Sequence, residues 1–365
     1  MHKEIIQYNT LVLTQPEFAK LPGMDTFRGL GKMFSLGLAP TDRTGTIHWP
    51  IRTKVMFPIP KLRPMTKTFT ELCDERGIEL LKRADSLGVD IYVFWSGGID
   101  STLVLTSLLK SATPEQKKRI VVLMTEESIE EYPLYYERYV RGQLRTLSAM
   151  MFPYVLGGPS IITTGEQNDQ LYGFDSVGRM MNRFGNDSIR KKIDRSTLVT
   201  FFTEGTKDEN LTNRFLDLFE STVKHAPIPI ETHFDFLWWI NFSQKWQNAF
   251  MRILTCVAPY TMPKVTPEYI QTRYASFYGT EEFQLWSMLN HDKKIKDVWK
   301  TYKWPAKDAI YEFTKDKDYR DNKTKRGSLR YVVIQQVTYD FIDENYHFFN
   351  NLDPLSVYDQ KNDLL

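Results

Sequence analysis

The chain has 365 residues, and its 47 Lys and Arg against 45 Asp and Glu leave a net charge of +2. That length accommodates two domains, and the near balance of charge excludes a global basic field of the kind that coats nucleic acid or binds an anionic membrane. The two cysteines, Cys73 and Cys256, stand far apart; they exclude a CxxC pair and a four-ligand zinc set, make a disulfide framework unexpected and point to a reducing compartment.

The first residues, MHKEIIQYNTLVL, lack the apolar core of a signal peptide, and no run approaches the ~18 apolar residues of a membrane span. A cytoplasmic protein with no membrane partner is expected. Residues 1–68 are irregular and proline-rich. FPIPKLRPM (57–65) cannot be a helix interior, because proline lacks the amide proton and clashes with the preceding turn. This segment reads as an extended N-terminal arm packed on the body. Residues 68–90 read as a helix, with Leu72, Ile78, Leu81 and Ala84 at helical spacing and Gly88 placed to stop it.

A different pattern follows. Residues 90–95, 119–125 and 160–165 read as short apolar strands, separated by helices over 101–110 and 133–151. Alternating strands and helices, with strands nearly continuously apolar, predict an α/β domain over 69–194 built on a parallel sheet. From 195 to 365 the texture is helical and aromatic without strand periodicity, which predicts a mainly α-helical C-terminal domain. There Trp238 and Trp239 read as core rather than a base-stacking platform. The six histidines show no metal spacing.

The chemistry concentrates in YVFWSGGIDSTLVLTSLLK (92–110). A strand ends at Ser96–Gly97–Gly98, and a helix starts at Ile99–Asp100–Ser101. Beyond the carboxyl end of a parallel strand, such a turn offers backbone amides and the positive end of a helix to an anion, and glycine lets phosphate approach the backbone. Ser96 and Ser101 carry hydroxyls for phosphate oxygens. Asp100 would repel a bare phosphate, so it makes sense there as a ligand of a divalent cation. A tight turn with a capping serine is the plain structural alternative.

SGGIDS resembles the phosphate loop of the ATP pyrophosphatase (PP-loop) superfamily, whose members cleave ATP between the α and β phosphates and transfer AMP to an oxygen. The resemblance implies a Rossmann-like parallel sheet of the adenine nucleotide alpha hydrolase-like type, ATP and Mg²⁺ as cofactors, and an adenine site near Leu123, Met124 and Thr125. A second stretch, SIITTGEQNDQLYGFDS (160–176), resembles the SGEGADELFGGY segment of asparagine synthetases, with Gly165, Glu166, Asp169, Leu171 and Gly173 on the pattern. It implies that Asp169 shares Mg²⁺ with Asp100 and that Glu166 faces the reacting centre. YRDNKTKRGSL (319–329) lies where that family carries a pyrophosphate-binding lysine, which implies Lys323 or Lys325. NFSQKWQNAFMRILTCVAPYTMPKVTPEYIQ (241–271) is similar, in diverged form, to the family segment ending in RVPFLD.

Three departures qualify the likeness. His2 stands where the glutaminase nucleophile would be, and the region before the phosphate loop is too short for that domain. Asp100 and Asp169 are 69 residues apart, closer than is usual in the family. Gln167 and Asn168 replace small residues, which implies an altered acceptor pocket. The whole is similar to stand-alone synthetase-like proteins of large bacteriophages, which would place it in the host cytoplasm. The favoured expectation is an ATP-dependent ligase that adenylates a small-molecule carboxylate and passes it to an amine or ammonia. Two others stay open: a base-modifying PP-loop enzyme of the lysidine type, which needs no cysteine, and a non-catalytic ATP-binding protein.

Overall fold

A computed structural model of the protein describes residues 3–33, 39–324, 341–349 and 352–359. In chain order the main elements are β1 (Ile5–Gln7), α1 (Met24–Met33), α2 (Phe69–Leu87), β2 (Ile91–Phe94), α3 (Ile99–Ser111), β3 (Ile120–Met124), α4 (Glu126–Glu131), β4 (Arg145–Ser148), β5 (Ile161–Thr164), α5 (Asn168–Tyr172), α6 (Asp175–Phe184), α7 (Arg195–Thr206), α8 (Glu209–Val223) and α9 (His233–Met251). They continue with α10 (Pro267–Thr272), β6 (Tyr274–Ser276), α11 (Glu281–Leu289), α12 (Trp304–Thr314), α13 (Lys317–Asn322), β7 (Phe341–Asp343) and β8 (Phe348–Phe349). Among the described residues no helix is long and apolar enough to cross a membrane.

The chain forms two compact units, and both are discontinuous. One comprises Met1–Leu62, Asp169–Thr255 and Thr338–Leu365; the other comprises Arg63–Asn168 and Cys256–Val337. This division runs across the three consecutive segments expected from the sequence.

The second unit carries a five-stranded, wholly parallel sheet in the order β4-β3-β2-β5-β6. The fold class is α/β, and the sheet order is Rossmann-like. Every residue of β3 and β5 is buried, which parallel strands covered on both faces require. The chain starts at β2, steps outward through β3 to β4, then returns to place β5 on the other side of β2. Connections therefore diverge between β2 and β5, and the carboxyl ends of those strands flank the crevice where open α/β sheets take ligands.

Local chemistry explains the flanking helices. Thr68 caps α2, and Glu71 bonds back to the Thr68 amide, closing a capping box. Gly88, at φ +64°, ends the helix in the left-handed conformation. The buried face holds Phe69, Leu72, Leu81 and Ala84, while Ile78 points outward at 39% exposure. The expected helix over 133–151 does not form in one piece. It breaks after Val140; Gly142 turns at φ +68°, and Arg145–Ser148 becomes edge strand β4. An edge strand with one neighbour has little to bury, so RTLS lacks the apolar run that marks β2, β3 and β5. Strand β6 also lies in a stretch that had read as helical; at three residues it is too short for period-two alternation.

In the first unit, β1, β7 and β8 form a small antiparallel sheet. Its core is α9, where Trp238, Trp239 and Trp246 are fully buried. The N-terminal arm is extended over its proline-rich part but not throughout, since helices form at Pro16–Ala19 and Met24–Met33, and it is tied to α9 by polar groups. Gln247 donates to the carbonyls of Ile6 and Lys54 and accepts from the Met56 amide. The Arg43 guanidinium donates to the carbonyls of Phe57, Pro58 and Phe242. The buried Asp42 carboxylate accepts from the amides of Thr46 (2.8 Å) and Ile47 (2.6 Å) and from Gln244 Nε2 (2.6 Å). Asp42→Ala leaves those buried donors unpaired and is expected to cost about 2–4 kcal/mol, since hydrogen bonds to charged groups are the expensive ones to lose. Urea unfolding of the variant against the wild type measures it.

Candidate functional site

The site is assembled from the ends of β2, β5 and β6 and the start of α12, all within the second unit. The loop after β2 is braced by its own hydroxyls. Ser101 Oγ accepts from the Ser96 amide and lies 2.9 Å from Ser96 Oγ, which in turn accepts from the Gly98 amide. Gly98 caps α3 with no side-chain acceptor, so the helix presents its first amides without the side-chain caps seen at Thr68, Thr113 and Thr232.

Two glycines are fixed by close approach. A Cβ on Gly97, at φ +72°, would lie 2.4 Å from the Ser128 carbonyl oxygen in α4. A Cβ on Gly165 would lie 2.9 Å from the Asp100 carbonyl carbon and from the Ser101 nitrogen. Gly165 thus lets the β5 loop rest directly on the start of α3, and Gly97 packs the β2 loop onto α4. Gly98 meets only the Ser96 hydroxyl and the Glu131 carboxylate, at 3.1 and 3.5 Å, and is the more open of the pair.

Asp100 is the centre of the charged groups. Lys303 Nζ reaches both of its carboxylate oxygens, at 2.6 and 2.7 Å. The Lys303 side chain is 2% exposed and that of Asp100 24%. Asn168 Nδ2 donates to Asp100 Oδ1 at 2.6 Å, and Tyr278 Oη donates to the Asp100 carbonyl at 3.0 Å. Asn168 is fully buried, and its Oδ1 has no hydrogen-bond partner. A second pair lies beside the loop: Lys323 Nζ stands 2.8 Å from Glu131 Oε1, with both side chains buried. Tyr319 Oη donates to the Gly97 carbonyl, and its ring stacks on Tyr132 at 3.7 Å. Burial pushes the Tyr319 hydroxyl well above its ordinary pKa, so it stays a donor.

Lys307 completes a cationic group. It is buried and donates to the carbonyls of Lys300 (2.5 Å) and Lys323 (2.7 Å), which holds Lys323 in place. Burial lowers its pKa to about 8; Asp321 pulls it back up, and Lys303, Lys323 and Lys300 push it further down.

Of the residues expected from sequence, Ser96, Gly97, Gly98, Ile99, Asp100, Ser101 and Gly165 come together at the junction of β2 and β5. Leu123 and Met124 form the end of β3, with Thr125 just after it capping α4, adjacent to β2, where the Trp95 amide donates to the Leu123 carbonyl. Glu166 follows Gly165, and its carbonyl accepts from Ser276 Oγ at the end of β6. Lys323 is beside the loop, whereas Lys325 lies outside the described residues. Asp169 falls in the first unit, where its carbonyl accepts from Asn241 Nδ2 and from the amides of Gly173 and Phe174. The amide beside Asp100 belongs to the preceding residue, Asn168.

Sequence reasoning missed Lys303, Lys307, Glu131 and Tyr278. Lys303 lies two residues before a helix-start proline, and no charge pattern sets it apart. Asn168 stands out in the sequence only as a bulky replacement, although an amide directly before an acid in a strand-end loop is a fair cue. One carboxylate with one unpartnered amide oxygen suits Mg²⁺, which takes few protein ligands and completes its shell with water and substrate phosphate. Among the described residues no group of three or more His, Cys, Asp or Glu could hold a metal ion. No protein-family model matches the chain, and no curated protein matches it either.

Two outcomes are expected. Gly165→Ala should destabilise the protein by about 1–3 kcal/mol, because the clash is with backbone and cannot be relieved by a side-chain swing; chemical denaturation tests it. Lys307, at about 8 in the folded chain against 10.5 in the unfolded one, makes the unfolded state hold the extra proton between those values. Stability contributed by this group therefore rises with pH across that window and is flat below it. The difference in unfolding free energy between the wild type and Lys307→Met should move in favour of the wild type from pH 8 to 10.5; a constant difference would refute the assignment.

Proposed function

We propose that the protein is an ATP-dependent adenylating ligase of the ATP pyrophosphatase kind, activating a carboxylate with release of pyrophosphate and passing it to an amine. The observation that carries this reading is the loop Ser96–Ser101 at the junction of β2 and β5, in a parallel sheet whose order puts a ligand crevice there.

In this reading the amides at the start of α3 and the hydroxyls of Ser96 and Ser101 bind the phosphates, and the end of β3 lies beside adenine. Asp100 and Asn168 Oδ1 would hold Mg²⁺, which neutralises phosphate charge when bound. A carboxylate oxygen of the acid attacks the α-phosphorus, and the bond from that phosphorus to the bridging oxygen breaks. Lys323 and Lys303 stabilise the charge growing on the departing pyrophosphate. The amine nitrogen then attacks the acyl carbon and AMP leaves with the bonding pair. Glu166 takes the proton from the amine.

With ATP, Mg²⁺ and a mixture of metabolite acids and amines, AMP and pyrophosphate should accumulate rather than ADP and phosphate. Glu166→Gln should lower product formation by about 10²–10⁴-fold, the usual worth of a general base, yet keep the thermal protection given by ATP and Mg²⁺. ADP as product, or no turnover with any acid and amine despite nucleotide binding, would reject the ligase reading.

A further inference from the structure

We infer that Lys303 is an exchangeable counter-ion: its ammonium holds the cation position of Asp100 while the site is without nucleotide, and transfers to the polyphosphate when a divalent cation arrives with it. The inference rests on the ATP reading and adds to the part Lys303 plays there a role in the site without nucleotide.

Three independent features of the chain support the exchange. The first is how Lys303 holds Asp100. Its ammonium bridges both carboxylate oxygens at 2.6 and 2.7 Å, the place a hard cation would take. The second is the neighbouring Asn168 Oδ1, buried and without a hydrogen-bond partner. The Asn168 NH₂ is directed at Asp100, as is the Lys303 ammonium, and the acceptor Oδ1 meets no donor. The orphan oxygen therefore lacks in this state the positive partner that a divalent cation beside Asp100 would give it. The third is the backbone. Lys303 sits at φ +59°, ψ +34°, immediately before α12. A non-glycine residue held there costs on the order of 1–3 kcal/mol, and such strain persists where the surroundings impose it.

The electrostatics give the exchange its direction. With no divalent cation, Asp100 is three-quarters buried and needs a positive partner, which Lys303 supplies. A divalent cation on Asp100 repels the ammonium, while the accompanying phosphates attract it. A four-carbon stem with a compact point charge lets the ammonium move without moving the backbone. Lys303 also lies one helical turn before Lys307, whose pKa its charge depresses.

The test is binding rather than turnover. Mn²⁺ serves as the divalent probe, counted by electron paramagnetic resonance, and α,β-methylene-ATP serves as the uncleavable nucleotide. Lys303→Gln should bind Mn²⁺ alone about tenfold more tightly than the wild type, since a competitor is gone, and bind Mn²⁺·α,β-methylene-ATP about tenfold more weakly, since a phosphate partner is gone; both lie within the usual range of site coupling. Lys303→Arg should move Mn²⁺ binding the other way, because a bidentate guanidinium holds a carboxylate more firmly. That variant keeps the charge and carries the test if Lys303→Gln does not fold. Unchanged Mn²⁺ affinity in the folded variants overturns the exchange and leaves the ATP reading standing. Failure of the wild type to bind the nucleotide at all overturns both.

Discussion

The contact between Lys303 and Asp100 organises the second unit. It joins the start of α3 to the start of α12, and the same aspartate receives Asn168 from the end of β5 and Tyr278 from beyond β6. Four segments spread over two hundred residues are thereby fixed around one aspartate, two of them on its carboxylate and one on its carbonyl. The pair is no simple source of stability, because the desolvation of two charges offsets much of their attraction, and apolar residues of equal volume would serve as well. Its consequence is positional: a carboxylate and an ammonium are kept at the carboxyl end of a parallel sheet, where charge is otherwise expensive.

Backbone strain falls in the same place. Six non-glycine residues among the described ones have positive φ; one of them, Lys303, holds Asp100, and another, Gln167, directly precedes Asn168, which also holds it. Gln167 lies between Glu166 and Asn168, so its left-handed turn sends the amide of Asn168 back toward α3. Without Gly165 the β5 loop could not come close enough for that amide to reach Asp100. The contacts there supply what the strained conformations cost, and that is a reason for these loops to be specified so tightly.

Much of this was legible in the sequence, and the illegible part has a physical cause. The strands β3 and β5 are buried throughout and β2 nearly so, and apolar or β-branched residues fill them, so the pattern announces them. The loop SGGIDS is legible because glycine and serine are read through backbone needs, which are local. Strand β4 is an edge with a mostly exposed face, and β6 has three residues; neither leaves a periodic trace. Lys303 and Glu131 escaped for a different reason: an ion pair between residues distant in sequence has no local signature, and a buried lysine looks like a surface one until its neighbours are known. The three consecutive segments expected could not foresee that the chain crosses from one unit to the other at Asn168 and Asp169.

The lysines of α12 and α13 show what such a group favours. Lys303 is matched by Asp100 and Lys323 by Glu131, while Lys307 donates to carbonyls and has its pKa lowered to about 8 by burial and by its cationic neighbours. A site so arranged holds its lysines on carboxylates and carbonyls in a balance of its own with nothing bound. Bringing an anion among these groups stabilises the protonated form of Lys307, and by linkage protonation of Lys307 strengthens the anion by the same free energy. The balance that makes the buried lysines tolerable in the folded chain is therefore the balance that a polyphosphate would tip, and the loop of amides at the start of α3 is where its oxygens would find their donors.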